Sequence, residues 1–431
     1  MTDAVELTAD QTGDRIVTRP RPTAFTWRPG YPGTAHGRVR EAVLRAAGFD
    51  LAPRDDLAAD YFDRLWLTDP LAERFVDEVY YGDIGFERGK QMLEQAARDG
   101  IDSMPDAPAS MRALFDELEA VPEWADVEEI ERGAAVWRRW AYDMGAMGNA
   151  GTIDTYTEAW LAVPLSLSGG YAGASALNRY LETSRWWIEC AQPYAVTTVG
   201  SMAKLLSIKV RVMHVSVRRG VANHPEWDEA KWGKPISQSA QMLTLLGGSV
   251  APGLALFGIG HLSSPAELRA VLEFNRYLGY LLGVDPQLCP ATVADGVRML
   301  FHFDATRSLD SGDVGSELAA SFVPSFEPQP DWSLRDKIRG HFHLQLQAGF
   351  SRLYILPWNR KRFDGLPGGW LGTGYLLARL PIIVGVELAR RVFPSVDAAW
   401  QRRRTEAWRA WLDWQTRDNE HSFKPTTQMR R

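Results

Sequence analysis

The stretch KVRVMHVSVRRG, Lys209 to Gly220, places a histidine where an apolar residue is expected. The segment around it, Ala195 to Arg219, contains no proline. It continues a stripe of Leu206, Val210, Met213, Val217 and Val221 at helical intervals of three and four residues. His214 falls inside this stripe, one turn after Val210 and one turn before Val217. Lys204, Lys209 and Arg219 fall on the opposite side and read as a solvated face. An imidazole on a buried face needs a hydrogen-bond partner or a metal, because an unpaired buried polar group is costly. Spacing alone leaves both open: a core histidine bonded to a neighbouring helix, or a ligand.

Outward from this segment, helical periodicity dominates. It recurs in Val39–Ala47, Leu71–Val79, Phe86–Arg98, Val127–Met144 and Ala266–Leu282, while alternating β-branched runs joined by tight turns are nearly absent. Helix starts are signalled at Asp69-Pro70, at SSPAEL (Ser263–Leu268) and at PSVDAAW (Pro394–Trp400). The expected architecture is all-α: an extended arm over residues 1–35, one large helical domain over 36–395, and an Arg/Trp-rich helix with a disordered tail over 396–431. No internal repeat or low-complexity tract interrupts it.

Composition narrows the partners. The 431 residues are 45% hydrophobic and 24% charged, enough to bury a large core, and the net charge of −6 gives no footprint for nucleic acid. Cys190 and Cys289 are too few for a disulfide framework or a cysteine-based zinc site. The N-terminal stretch has no basic-then-apolar signal, which leads to the expectation of a cytoplasmic protein. Met242–Gly260 and Tyr375–Val392 are apolar but interrupted by Gly, Pro or charged residues. Neither reads as a transmembrane span; both read as buried helices, with peripheral membrane contact left open for the second. The oligomeric state is not legible.

Familiar catalytic signatures are missing: there is no P-loop, no GxGxxG after a strand, no HExxH and no GxSxG. His341 and His343 are two apart and point to different sides of a helix, so they cannot share a metal from one face. A cofactor needing one protein ligand is compatible with His214, and haem is the obvious one. Upstream, GGYAGASALNRYLETSRWW (Gly169–Trp187) begins with small residues that let a flat group or another backbone approach. It then sets Arg179, Glu182 and Thr183 on one helical face. These read either as a surface helix with an Arg–Glu pair or as a polar trio facing a cavity.

Five phrases in order give the chain a resemblance to the latex-clearing-protein family, the haem b rubber oxygenases and their relatives. They are VPEWADVEEIERGAAVWRR (Val121–Arg139), NRYLETSRWW, KVRVMHVSVRRG, WGKPISQSAQMLTLLGG (Trp232–Gly248) and EFNRYLGYLLGVDPQLCP (Glu273–Pro290). The resemblance implies a globin-like helical core with additional flanking helices, one haem b, and molecular oxygen as co-substrate. His214 takes the place of the proximal iron ligand, with Arg211 and Arg218, one turn to either side, within reach of the haem propionates. In the family's distal pattern R-x-x-K-T, Arg179 and Thr183 match the first and last positions, whereas Glu182 stands where the family has lysine. A carboxylate does not replace that neutral amine, so the resemblance implies a five-coordinate or water-ligated iron. Glu182 would then lie near the distal face, either tuning proton delivery or locked by Arg179. Glu158 is the nearest match to the family's upstream glutamate base. The implied function is a haem-dependent oxygenase acting on a small apolar, unsaturated, isoprenoid-like substrate, with oxidative C=C cleavage as the reaction. The alternatives are a haem protein without oxygenase activity, such as a peroxidase, sensor or carrier, and a haem-free module that binds apolar ligands.

Overall fold

The computed structural model describes residues 20–417 except 29, 31–32, 53 and 169–174. Residues 1–19 of the expected arm, the small-residue run Gly169–Ala174 and the tail from 418 onward therefore lie outside the described residues. Among the described residues the elements are helices, and the fold is all-α as expected.

The predicted helix starts have identifiable causes. Asp69 caps α1 (Pro70–Phe75) by accepting the Ala72 amide at 3.2 Å, with proline in the first turn where its missing N–H costs nothing. The helix α2 (Ala109–Glu119) follows. Then come α3 (Val127–Trp140), capped by Asp126, and α4 (Tyr142–Thr155), α5 (Ala159–Leu167) and α6 (Ser175–Cys190). The opening stretch lies in α7 (Met202–Ala222), and α8 (Gln238–Gly248) starts at the Ser237 cap. A reciprocal capping box between Ser264 and Glu267 opens α9 (Pro265–Leu281), as SSPAEL signals. Further along the chain, beyond helices Val293–Thr306 and Gly312–Phe322, lie α10 (Leu334–Tyr354), α11 (Trp370–Ala378), α12 (Leu380–Val392) and α13 (Pro394–Thr416).

Two expectations for α7 need correction. The helix begins at Met202 rather than Ala195, because Gly200 lies in the left-handed region (φ 76°) and the Ser201 hydroxyl caps the new helix by accepting the Lys204 amide. Lys204 is not on a solvated face either. It is 1% exposed, and its ammonium donates to the carbonyls of Leu118 (2.7 Å) and Glu119 (3.2 Å) at the end of α2. A cation there satisfies orphan carbonyls and the negative end of the helix dipole. Burial pulls its pKa down to about 8, opposed by Glu119.

Two apolar clusters share the interior. The larger is built on α2, α3, α4, α6 and the first half of α7, including Leu205, Leu206, Ile208, Val212 and Val215. The smaller gathers Phe25, Tyr61, Phe62, Trp160, Trp227 and Phe303 with Val217 and Val221 from the second half of α7. Phe25, in the described part of the arm, is 1% exposed and packs edge-on against Trp160 at 5.4 Å. The long helix α7 thus spans both clusters, and His214 sits where one gives way to the other. Close helix contact is set by glycine at the α3–α9 crossing. A side chain at Gly133 would place its Cβ 2.2 Å from the Ala270 carbonyl oxygen. The Arg/Trp-rich helix α13 is docked on this core through Trp408 and Trp411, each 2% exposed.

Met242–Gly260, one of the two apolar stretches, is interior: most of the helical segment Gln238–Ile259 is buried. The other, Trp370–Val392, is not, as described below.

Candidate functional site

The consecutive helices α6 and α7 run antiparallel and meet at one end, where Trp186 Nε1 donates to Ser207 Oγ at 2.9 Å and Cys190 Sγ lies 3.9 Å from the same hydroxyl. Seven residues from that contact in each direction, about two turns or roughly 10 Å, stand Arg179 on α6 and His214 on α7. Arg179, Glu182, Val210, Met213 and His214 are half-buried, interleaved with the buried Tyr180, Leu181, Arg211, Val212 and Val215. Equal spacing from the contact sets the predicted ligand and the predicted polar residues at comparable heights on the two helices.

His214 makes one hydrogen bond among the described residues, Nδ1 to Gln241 Oε1 on α8 at 3.3 Å. An amide oxygen can only accept, so Nδ1 carries the proton and the Nε2 lone pair is left over. That tautomer belongs to the amide orientation present, in which Gln241 Oε1 faces the ring and Gln241 Nε2 is buried without a partner among the described residues. Burial, reinforced by the nearby Arg218 cation and opposed by the Gln241 bond, pulls the imidazole pKa down to about 4. The ring is neutral at pH 7, the form that can donate an electron pair to a metal. The sign of the linked stability is definite. The unfolded chain takes up a proton near pH 6.5 that the native imidazole refuses until about pH 4. Stability is therefore lost as pH falls through that window. In cofactor-free protein, His214→Gln should reduce the slope of unfolding free energy against pH by up to about 1.4 kcal/mol per pH unit there. Urea titrations at pH 7 and 5 check this; an unchanged slope would place the proton elsewhere.

The other predicted residues divide. Arg179 Nη1 pairs with Glu182 Oε2 at 3.1 Å, with both side chains largely shielded, so the locked ion pair is the arrangement present. Thr183 is exposed and its hydroxyl donates back to the Arg179 carbonyl at 2.9 Å. Arg211 binds Asp69 through Nε (2.7 Å) and Nη2 (3.0 Å), and Glu117 through Nη1 (2.7 Å), with its side chain 3% exposed. Arg218 donates to the Pro235 and Ile236 carbonyls and to Glu73 at 2.8 Å. Both guanidiniums are neutralised by protein carboxylates and tie α7 to α1 and the segment before α8, which replaces the expected propionate contacts with structural ones. Glu158 is likewise enclosed. Its carboxylate accepts from Thr157 (2.8 Å) and from the amide (2.6 Å) and hydroxyl (2.9 Å) of Ser308, beside Arg307, which leaves it no role as an open base. No group of three or more His, Cys, Asp or Glu side chains suited to a metal ion occurs among the described residues. A cofactor here would rest on a single protein ligand.

Gln241 was not singled out by sequence. Its only signal is its place in the first turn of α8, inside WGKPISQSAQMLTLLGG; the pairing with a residue 27 positions earlier depends on how α7 and α8 pack.

A helical protein that presents one neutral imidazole with a spare nitrogen, at the seam of two cores and with a half-buried Arg–Glu pair on the neighbouring helix, has the makings of a single-ligand cofactor site. The comparisons with known proteins give the chain's family and fold. The family model described as the catalytic domain of ER-bound oxygenase mpaB/B′ and rubber oxygenase matches residues 136–366, over half of the sequence, and the chain belongs to that family. The rubber oxygenase of Streptomyces sp. (strain K30) is similar at 24% identity over 299 residues, which covers 68% of this chain and 66% of that protein, just under two thirds of its length. The structure of latex clearing protein in its closed state matches with a TM-score of 0.59 at 18% identity, over 89% of this chain and 95% of that one, which shows a shared fold.

Proposed function

We propose that this chain is a cytoplasmic haem b oxygenase that uses molecular oxygen on a small apolar, unsaturated, isoprenoid-like substrate, with cleavage of a carbon–carbon double bond as the reaction. The observation that carries the reading is His214: half-buried, neutral, held at Nδ1 and unpartnered at Nε2 among the described residues. Membership of an oxygenase family supports it. Haem, when bound, supplies the binding and activation of oxygen. The chain supplies the rest. His214 would hold the cofactor through Nε2. Gln241 orients the ring and fixes its tautomer, as partners of ligating histidines do. Val210 and Met213 make the ligand's surroundings apolar and limit water. On α6, Arg179 holds Glu182 in place, and the Glu182 carboxylate is the group at which a proton is kept or passed on.

Gln241→Leu should weaken haem binding about 10–100-fold, measured by titrating haem into cofactor-free protein; unchanged affinity would deny Gln241 its positioning role. The function is tested by oxygen uptake that depends on added short isoprenoid alkenes, with carbonyl products followed by mass spectrometry. Haem-replete protein that consumes no oxygen with any of them would favour a sensor or carrier.

A further inference from the structure

The helices α11 and α12 form one nearly continuous rod, Trp370–Val392, whose inner side is anchored and whose outer side is bare. Gly372, Thr373, Leu376, Ile383 and Glu387 face the protein and are buried. A side chain at Gly372 would set its Cβ 1.8 Å from the Gln345 carbonyl oxygen, so the rod lies hard against α10. Outward, Leu371, Tyr375, Ala378, Ile382, Gly385, Leu388 and Val392 follow at helical spacing. All are exposed, with Leu371 at 74%, Ile382 at 66% and Val392 at 69%, and none is charged. The neighbouring helix α10 adds Leu334, Ile338 and Phe342, one turn apart and also exposed. Phe342 meets Tyr375 edge-on at 5.0 Å, across an apolar groove of about 370 Å³.

We propose that this face docks the protein on the surface of an anionic lipid bilayer, with the rod lying in the plane of the headgroups. The inference stands on the surface itself and does not depend on the cofactor. Charge selects the occupant. Among the exposed residues of 334–409, Arg335, Lys361, Arg362, Arg391, Arg402 and Arg403 face only two acids, Asp364 and Glu406, in a chain whose net charge is −6. Lys361 and Arg362, shortly before the rod, and Arg335, beside the exposed Leu334, are themselves exposed. An apolar stripe flanked by basic residues is what an interfacial helix presents to anionic lipid. Trp370, with the Arg352 guanidinium 3.1 Å from its ring centre, gives one end an aromatic–cationic pair suited to the headgroup layer. A second copy paired face to face would instead set these basic clusters against each other. The rod lies on the bilayer and does not cross it. Arg379, at its middle, is tied to the buried Asp143 at 2.5 Å, and insertion would tear that pair out of the core.

The test uses the full chain in vesicle flotation, with phosphatidylcholine alone and with about a third phosphatidylserine. Binding is expected to the anionic vesicles, weakening steeply toward about 1 M salt, where the screening length is only ~3 Å. Ile382→Asp/Leu388→Asp changes two exposed positions, so its thermal midpoint should stay put while vesicle binding falls on the order of tenfold or more. Lys361→Glu/Arg362→Glu should remove the preference for phosphatidylserine. Absence of flotation, or equal flotation by the Ile382/Leu388 variant, would overturn the proposal. So would a dimer in sedimentation analysis that dissociates in that variant while no lipid is bound; the face would then belong to self-association.

Discussion

Replacing His214 by alanine is expected to abolish haem retention, leaving purified protein with no more than traces of haem and no coordinated absorption band. The expectation follows from the single-ligand geometry. No other cluster of His, Cys, Asp or Glu among the described residues could take over a metal, and the two arginines beside His214 are engaged with carboxylates. The fold should survive. His214 makes one hydrogen bond, and losing it leaves Gln241 with an unpaired acceptor worth about 1–3 kcal/mol. Circular dichroism of the variant should therefore match that of the native chain. Added imidazole, entering the space left by the ring, should restore part of the absorption. A variant with a full complement of haem and an unchanged spectrum would move the ligand elsewhere.

The second large effect is structural. Asp143 on α4 is fully buried between Arg404 of α13 (2.7 Å), Arg379 at the α11–α12 junction (2.5 Å) and His261 Nε2 (3.0 Å). Burial pushes its pKa up, but Arg404 and Arg379 outweigh that, and the carboxyl is held well below the usual carboxylate range. Removing it by Asp143→Ala leaves two half-buried cations and His261 without their carboxylate, at a cost of up to about 3 kcal/mol. The thermal midpoint should drop by several degrees. Limited proteolysis should then cut first near residues 370–393, because this carboxylate ties both α13 and the α11–α12 rod to the core. A variant as stable as the native chain, cut no faster, would mean that apolar packing at Trp408 and Trp411 suffices.

What was legible in the sequence had local causes. Helix starts at Asp69 and Ser264 were readable because a cap and the amide it satisfies lie within three residues. The stripe through His214 is legible only in part: Leu206, Val217 and Val221 are buried, but so are Lys204, Ile208, Val212 and Val215 on its other sides, because α7 is packed nearly all round. Lys204 was misplaced because its partners are the carbonyls of Leu118 and Glu119, which only the packing of α2 beside α7 brings near. The carboxylate partners of Arg211 and Arg218 are not legible in sequence, because the nearness of Asp69, Glu117 and Glu73 is tertiary, although Asp69 itself reads as a cap. One carboxylate there serves two purposes, as α1 cap and Arg211 partner. The Arg179–Glu182 pair was in view as one of two readings, since three residues on a helix suffice to define it. The α11–α12 stripe reads as a buried helix in sequence, and the structure exposes it, for a plainer reason. Apolar composition is the same for a buried helix and an uncovered one, and only the packing of the inner face separates them.

The most direct test of the central claim is the haem content of the native chain, by pyridine haemochrome together with oxidised and reduced absorption spectra. The account predicts close to one haem b per chain, with a five-coordinate or water-ligated signature. Protein that stays colourless after reconstitution with haem would contradict it, and His214 would then be a core histidine whose partner is Gln241 alone.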